Sequence, residues 1–301
     1  MVELKNEKVA IPVVLFAGLL WSFGPLVVRY IDQPNLVPWQ YLFTRGITIF
    51  CILNIYLFFE EGKNFYKNYF KMGLSGIIGG TGLGMAMIGF IWSITHTSAA
   101  VTLLCLAAMP FITALLGFLF LKEKINLNVW IAIGISCIGI IIIALGNTSK
   151  VSLLGLIFGI LSAIGFSVFS VSLRWRKETP KFTTVAYAGL FCAIISTIII
   201  INSKGNFLSS SYNEGLFAIH GTLVCLGLIL YSIGSKTIQA AELTLLSLTE
   251  VIGGIFWVWL PLFGINEVPT NNTIIGGFLI FMSLIYYSLL IKTNRRYIAL
   301  N

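Results

Sequence analysis

IAIGISCIGIIIIAL, residues 131–145, is an unbroken apolar run without a charged side chain and without alternation of polar and apolar positions. A strand of a transmembrane β-barrel would alternate over segments of about 10 residues. Continuous apolarity of this length reads instead as a buried or bilayer-crossing helix. The run belongs to a series of ten: roughly 11–30, 38–59, 71–93, 98–120, 127–145, 153–173, 182–202, 215–234, 242–262 and 273–291. Each is close to the roughly 20 residues that a helix needs to cross a hydrocarbon core. Of 301 residues, 57% are hydrophobic and 10% charged, and the mean hydropathy is +0.95, beyond the range of ordinary soluble domains. The expected fold is an all-α integral membrane protein with ten transmembrane helices. The first run follows Lys5 and Lys8 but has no small-residue cleavage site, so it is read as a helix rather than a signal peptide.

Cationic side chains are retained on the cytoplasmic face of membrane proteins. With the N-terminus inside, Lys5, Lys8, Lys63, Lys67, Lys71, Lys122, Lys124, Arg174, Arg176, Lys177, Lys181, Lys236, Lys292, Arg295 and Arg296 all fall on that face. The opposite face receives Arg29, Lys150 and Lys204, and Arg45 stays within a run. A miscounted helix would scramble this bias. The net charge of +8 is therefore mostly topology, and no nucleic-acid partner is implied. Both termini are expected in the cytoplasm and the protein in the cell membrane. The five cysteines lie in apolar runs without CxxC spacing, which suits packing rather than metal binding. No phosphate-binding glycine loop, HExxH or nucleophile and base set occurs, so neither catalysis nor a cofactor is expected.

Sliding the chain along itself by 141 residues pairs the first run with the sixth, the third with the eighth and the fourth with the ninth. LFAGLLWSFG (15–24) lies over LIFGILSAIG (156–165), Gly80-Thr81 over Gly221-Thr222, and Ala99-Ala100 over Ala240-Ala241. Two five-helix halves follow, 1–150 and 151–301. Five is odd, so the second half enters the membrane from the other side. Inverted repeats of this kind characterise alternating-access carriers.

The segments GLLWSFGPLVVRY (18–30), YLFTRG (41–46), SAAVTLLCLAAMPFITALLGFLFLKEK (98–124) and QAAELTLLSLTEVIGGIFWVWLPLFGINEVPT (239–270) resemble the EamA-type transporters of the drug/metabolite transporter superfamily. The resemblance covers essentially the whole chain. It implies a carrier with a central cavity between its halves and with the fifth and tenth helices at the periphery. Members usually carry a Glu-Pro pair in the ninth helix and a Gly-Glu pair soon after. Here Val251 follows Glu250, and Asn266 precedes Glu267.

Ionisable side chains inside a bilayer cost a few kcal/mol on insertion scales, so each is a functional candidate. Glu250 sits near the middle of the ninth run, where the first half has Met109. Arg45 lies opposite Ala186, and His220 opposite Gly79. Glu242 opens the ninth run, and its spacing of eight residues from Glu250 sets the two within about 80° of each other on the helix. Two readings stand for Arg45 and Glu250: a fixed ion pair between helices, or cavity-facing groups that engage a zwitterion or a coupling proton. Trp21 falls in mid-run, suited to packing or to stacking on a substrate. His220 is a packing or a titrating residue. Pro25, Pro110 and Pro261 lie within runs and should kink or interrupt them.

The expected function is secondary carriage of a small polar organic metabolite, amino acids and related compounds first, by a monomer or homodimer whose partners are substrate, bilayer and a candidate coupling proton. The candidate substrate or coupling residues are Glu250, Arg45, Trp21, His220 and Glu242. A carrier of organic cations is the alternative that Trp21 with Glu250 favours. A membrane-embedded enzyme or scaffold is the alternative of another class.

Overall fold

The computed structural model describes residues 7–123, 126–146, 152–176, 178–265, 268 and 270–298. Lys5, Lys124, Lys150, Lys177, Asn266 and Glu267, and with them the expected boundary between the halves, lie outside the described residues, as do the side chains of Lys292, Arg295 and Arg296.

The described residues form helices and no strands. In chain order these are α1 (Glu7–Trp21), α2 (Phe23–Tyr30), α3 (Pro38–Glu61), α4 (Lys67–Lys71), α5 (Gly73–His96), α6 (Ala99–Leu106), α7 (Met109–Leu116) and α8 (Leu127–Gly146). There follow α9 (Leu153–Trp175), α10 (Lys181–Asn202), α11 (Ser211–Gly234), α12 (Ala240–Leu246), α13 (Thr249–Trp259) and α14 (Asn271–Ile298). Eight spans are long and apolar enough to cross a membrane, three of them built from the pairs α1–α2, α6–α7 and α12–α13. α8 and α14 make the fifth and tenth runs helical as expected.

Two of the three breaks have a proline cause. A proline has no N–H to give to the carbonyl four residues earlier. Pro25 leaves Trp21, the last residue of α1, without that donor, and Pro110 does the same for Leu106, the last residue of α6. The third break has no proline, since Val251 stands where the resembling family usually carries one. Hydroxyl side chains occupy the carbonyls instead: Thr244 Oγ1 bonds to Ala241 O at 3.0 Å, Ser247 Oγ to Thr244 O at 2.8 Å, and Thr249 Oγ1 to Leu246 O at 3.1 Å. Such back-bonding competes with the helix ladder and bends it. Around the turn the backbone shifts to three-residue bonds, Glu250 N–H to Ser247 O at 2.9 Å and Val251 N–H to Leu248 O at 3.0 Å. Pro261 behaves differently from the expectation. It falls beyond Trp259 in a 3₁₀ turn, Pro261–Phe263, and ends the span instead of kinking it.

Packing runs mostly between helices far apart in sequence. α5 packs on α9 and α10, α1 on α11, α3 on α10 and α11, and α8 on α14. Exchanging each of the first five spans for its counterpart five spans later turns α1–α11 into α9–α5 and α3–α11 into α10–α5. The pairs α3–α10 and α8–α14 map onto themselves. α8 and α14 meet the rest of the bundle mainly through α6 and α13.

Small residues permit the closest of these contacts, as expected for membrane helices. A Cβ on Gly82 would stand 2.9 Å from Gly165 O of α9, and one on Gly80 would stand 2.9 Å from Thr184 O of α10. One helix thus offers glycine faces to two neighbours. Both ends of the bundle are cross-linked. At one end Tyr30 Oη donates to Phe263 O at 2.6 Å, Asp32 N–H to Asn213 Oδ1 at 3.0 Å, and Thr44 Oγ1 to Glu214 Oε2 at 2.6 Å. At the other, Arg174 pairs with Glu123 at 2.7 Å and donates to Ile238 O at 2.6 Å, while Ser75 Oγ and Thr179 Oγ1 share a hydrogen bond of 2.5 Å.

Candidate functional site

Between α1, α3, α5, α9, α11 and the two broken spans α6–α7 and α12–α13 lies a cavity of about 490 Å³. Trp21, Arg45, His220 and Glu250 all line it. Glu242 does not: it sits in the first turn of α12, on the far side of the Ser247-Leu248 turn. The expectation that Glu242 and Glu250 share a helical face is corrected, because its premise was a continuous helix and the chain bends between them.

The cavity wall carries the internal repeat. Trp21 and Ser162, Leu83 and Val224, Met87 and Leu228, and Met109 and Glu250 are pairs separated by 141 residues, and all eight residues line the same space. The cavity therefore brings together positions that the offset of 141 residues pairs. Two of these pairs are apolar on both sides. The other two are not, and they set an indole against a hydroxyl and a carboxyl against a thioether.

Each polar group is held in a defined way. Trp21, 5% exposed, gives its indole N–H to Val224 O at 3.2 Å and meets Phe166 edge-on and Tyr231 at a tilt, each at a centroid distance of 5.5 Å. Gly227 makes room for that indole, since a Cβ there would overlap it. His220, 1% exposed, is hydrogen-bonded through Nδ1 to Tyr41 Oη. Tyr41 is itself stacked on Phe217 at 4.4 Å. Arg45, 5% exposed, has its guanidinium carbon 5.9 Å from the centre of the Phe90 ring, within range of a cation–π attraction. Its Nε and Nη1 are buried without a hydrogen-bond partner.

Glu250, 9% exposed, shares the cavity with Arg45, but no ion pair joins them. The two groups feel each other's charge across the cavity without a direct contact. A buried guanidinium with unmet donors is costly, and a ligand carboxylate would satisfy such donors in a fork geometry. Tyr41, Phe90 and Phe166 escaped sequence reasoning because aromatic residues inside apolar runs look alike. Ser162 was findable as the repeat counterpart of Trp21.

Tyr41→Phe removes the partner of His220 Nδ1 without emptying the stack on Phe217. We expect a loss of stability of about 1 kcal/mol, the usual net worth of one such bond, read as a lower melting temperature in detergent.

A multi-pass helical bundle around a central cavity that holds a few polar groups suits a membrane transporter. Residues 8–145 match the EamA-like transporter family. It is similar to an uncharacterized transporter of Helicobacter pylori, 28% identical over 71% of this chain and 74% of that protein. It is also similar to the uncharacterized transporter YojE of Bacillus subtilis, 25% identical over 87% and 90% of the two chains. A protein of known crystal structure shares the fold with a TM-score of 0.71 at 18% identity, over 95% of this chain and 98% of its own.

Proposed function

We propose that this transporter is a secondary carrier of small zwitterionic metabolites, amino acids and related compounds first, working by alternating access about the central cavity. The observation that carries the reading is the unpartnered Arg45 guanidinium in the same cavity as an unpaired Glu250. Two opposite charges that do not satisfy each other suit a ligand carrying both. Trp21 and Phe166 supply an apolar wall for its side chain. The two halves, 1–150 and 151–301, would exchange roles as the contacts at one end open and those at the other close. The basic end faces the cytoplasm in this reading, with both termini there and the protein in the cell membrane. Carriage of organic cations is disfavoured by Arg45, whose charge would repel them.

Counterflow into proteoliposomes tests the proposal. Labelled neutral amino acids should exchange across vesicles containing the protein and be competed by one another. Movement of quaternary amines without movement of amino acids would transfer the assignment to organic cations. Absence of flux across a broad panel of both would remove the carrier reading.

A further inference from the structure

A second cavity, of about 340 Å³, opens at the basic end of the bundle between the end of α3, the start of α10 and the end of α11. It has no part in the central site. By sequence Lys181 is one of the cationic residues of the cytoplasmic face; in the structure it is the first residue of α10 and only 9% exposed. Its Nζ donates to Ser235 Oγ at 2.6 Å, and an ammonium carries three donors. The charged neighbours acting on it are Lys236 and Arg174, both cationic.

Two further groups lack partners. Thr183 Oγ1 and Ser232 Oγ are buried, with no hydrogen bond, and both residues line this cavity. Buried hydroxyls are ordinarily satisfied. No side chain caps the N-terminus of α10, where the helix dipole favours an anion. Lys236 lines the same cavity. Glu61 also lines it and accepts a hydrogen bond from Asn68 Nδ2 at 2.6 Å. The remaining wall includes Leu57, Phe182 and Ile233.

Buried positive charge, unmet hydroxyl donors and an uncapped helix start converge on one small volume beside apolar side chains. We propose that this cavity is a binding site for a phosphate group, occupied by the headgroup of an anionic phospholipid whose chains lie along the apolar wall. Phosphate oxygens accept from Lys181 Nζ, Thr183 Oγ1 and Ser232 Oγ together, and no neutral apolar ligand would. Basic pockets between helices at the cytoplasmic face are suited to such headgroups.

The test uses the full-length protein, purified and delipidated in neutral detergent, with melting temperature and native mass spectrometry as readouts. Phosphatidylglycerol should raise the melting temperature and remain bound, whereas phosphatidylcholine should do neither. Lys181→Gln should weaken phosphatidylglycerol binding by about tenfold, in line with the loss of one charge-assisted bond, and Lys181→Arg should restore most of it. Thr183→Val provides a second variant should Lys181→Gln fold poorly. Stabilisation by millimolar inorganic phosphate alone, lost in the same variants, would keep the phosphate site and replace the lipid by a soluble ligand. Equal binding of both lipids without a phosphate effect, or binding unchanged in Lys181→Gln and Thr183→Val, would overturn the proposal. Because these readouts need no transport substrate, they stand or fall independently of the central cavity.

Discussion

Glu250→Gln is expected to reduce transport by about tenfold or more, the scale set by losing one charged contact to a ligand, with the yield of folded protein close to that of the parent. Glutamine keeps the shape of the side chain and removes its charge. Glu250 makes no direct contact with Arg45, although each feels the other's charge, so the substitution breaks no hydrogen bond between them. A structural role would behave otherwise, because breaking a buried ion pair costs several kcal/mol and would lower yield and activity together. Flux in proteoliposomes compared at equal amounts of monodisperse protein separates the outcomes. Arg45→Gln should produce a loss of similar size, with Arg45→Lys recovering little, since a point charge cannot present the two-pronged donor set of a guanidinium. Parallel decline of folded yield and flux in Glu250→Gln would return this residue to a packing role.

Gly89→Leu carries the largest expected effect on stability. A Cβ at Gly89 would meet the backbone of α9, with Phe158 O and Ser162 N nearest and the latter at 2.8 Å. Backbone atoms cannot rotate aside, so α5 and α9 must separate along the most extensive helix contact in the bundle. Ordinary overpacking costs about 1–3 kcal/mol, and this case should reach or exceed the upper end. The loss of the Ser162 Oγ to Ala86 O bond, 2.8 Å in the parent, adds to it. Gly134→Leu is the control: nothing lies within 4 Å of a Cβ built there. Size-exclusion profiles of the two variants should differ sharply, Gly89→Leu giving little monodisperse protein and Gly134→Leu resembling the parent. Comparable yields would mean that the α5–α9 contact tolerates separation.

Much of the fold was legible because a bilayer imposes strong, local requirements. Every backbone polar group must be satisfied within the span, so a long apolar run has to be a helix. The repeat was legible because equivalent positions kept Gly, Leu and Thr at one constant offset. The candidate site was partly legible for the same reason, since a charge in hydrocarbon is expensive enough to stand out; Arg45, His220 and Glu250 were found this way, and Trp21 by its depth.

The rest depended on where chain segments lie relative to one another. The break before Glu250 was hidden, because its cause is not a proline but three hydroxyls, at Thr244, Ser247 and Thr249, which in another context would sit quietly on a helix face. Glu242, about 12 Å along the span from Glu250 by helical rise, stays outside the cavity lining. Tyr41 and Phe90 became relevant only through their contacts with His220 and Arg45. Lys181 looked like one more cationic residue of the cytoplasmic face until packing buried it beside two unpartnered hydroxyls.

The amino-acid sequence by itself determined the helical fold and the unusual side chains within the spans, since each follows from local hydrophobicity and spacing. Only the tertiary structure decided that Trp21, Arg45, His220 and Glu250 share one cavity, and that Lys181 faces a second one. Pairing and burial depend on the distances between helices far apart in the chain, which side-chain volumes and glycine contacts set when the bundle packs and which no local pattern encodes.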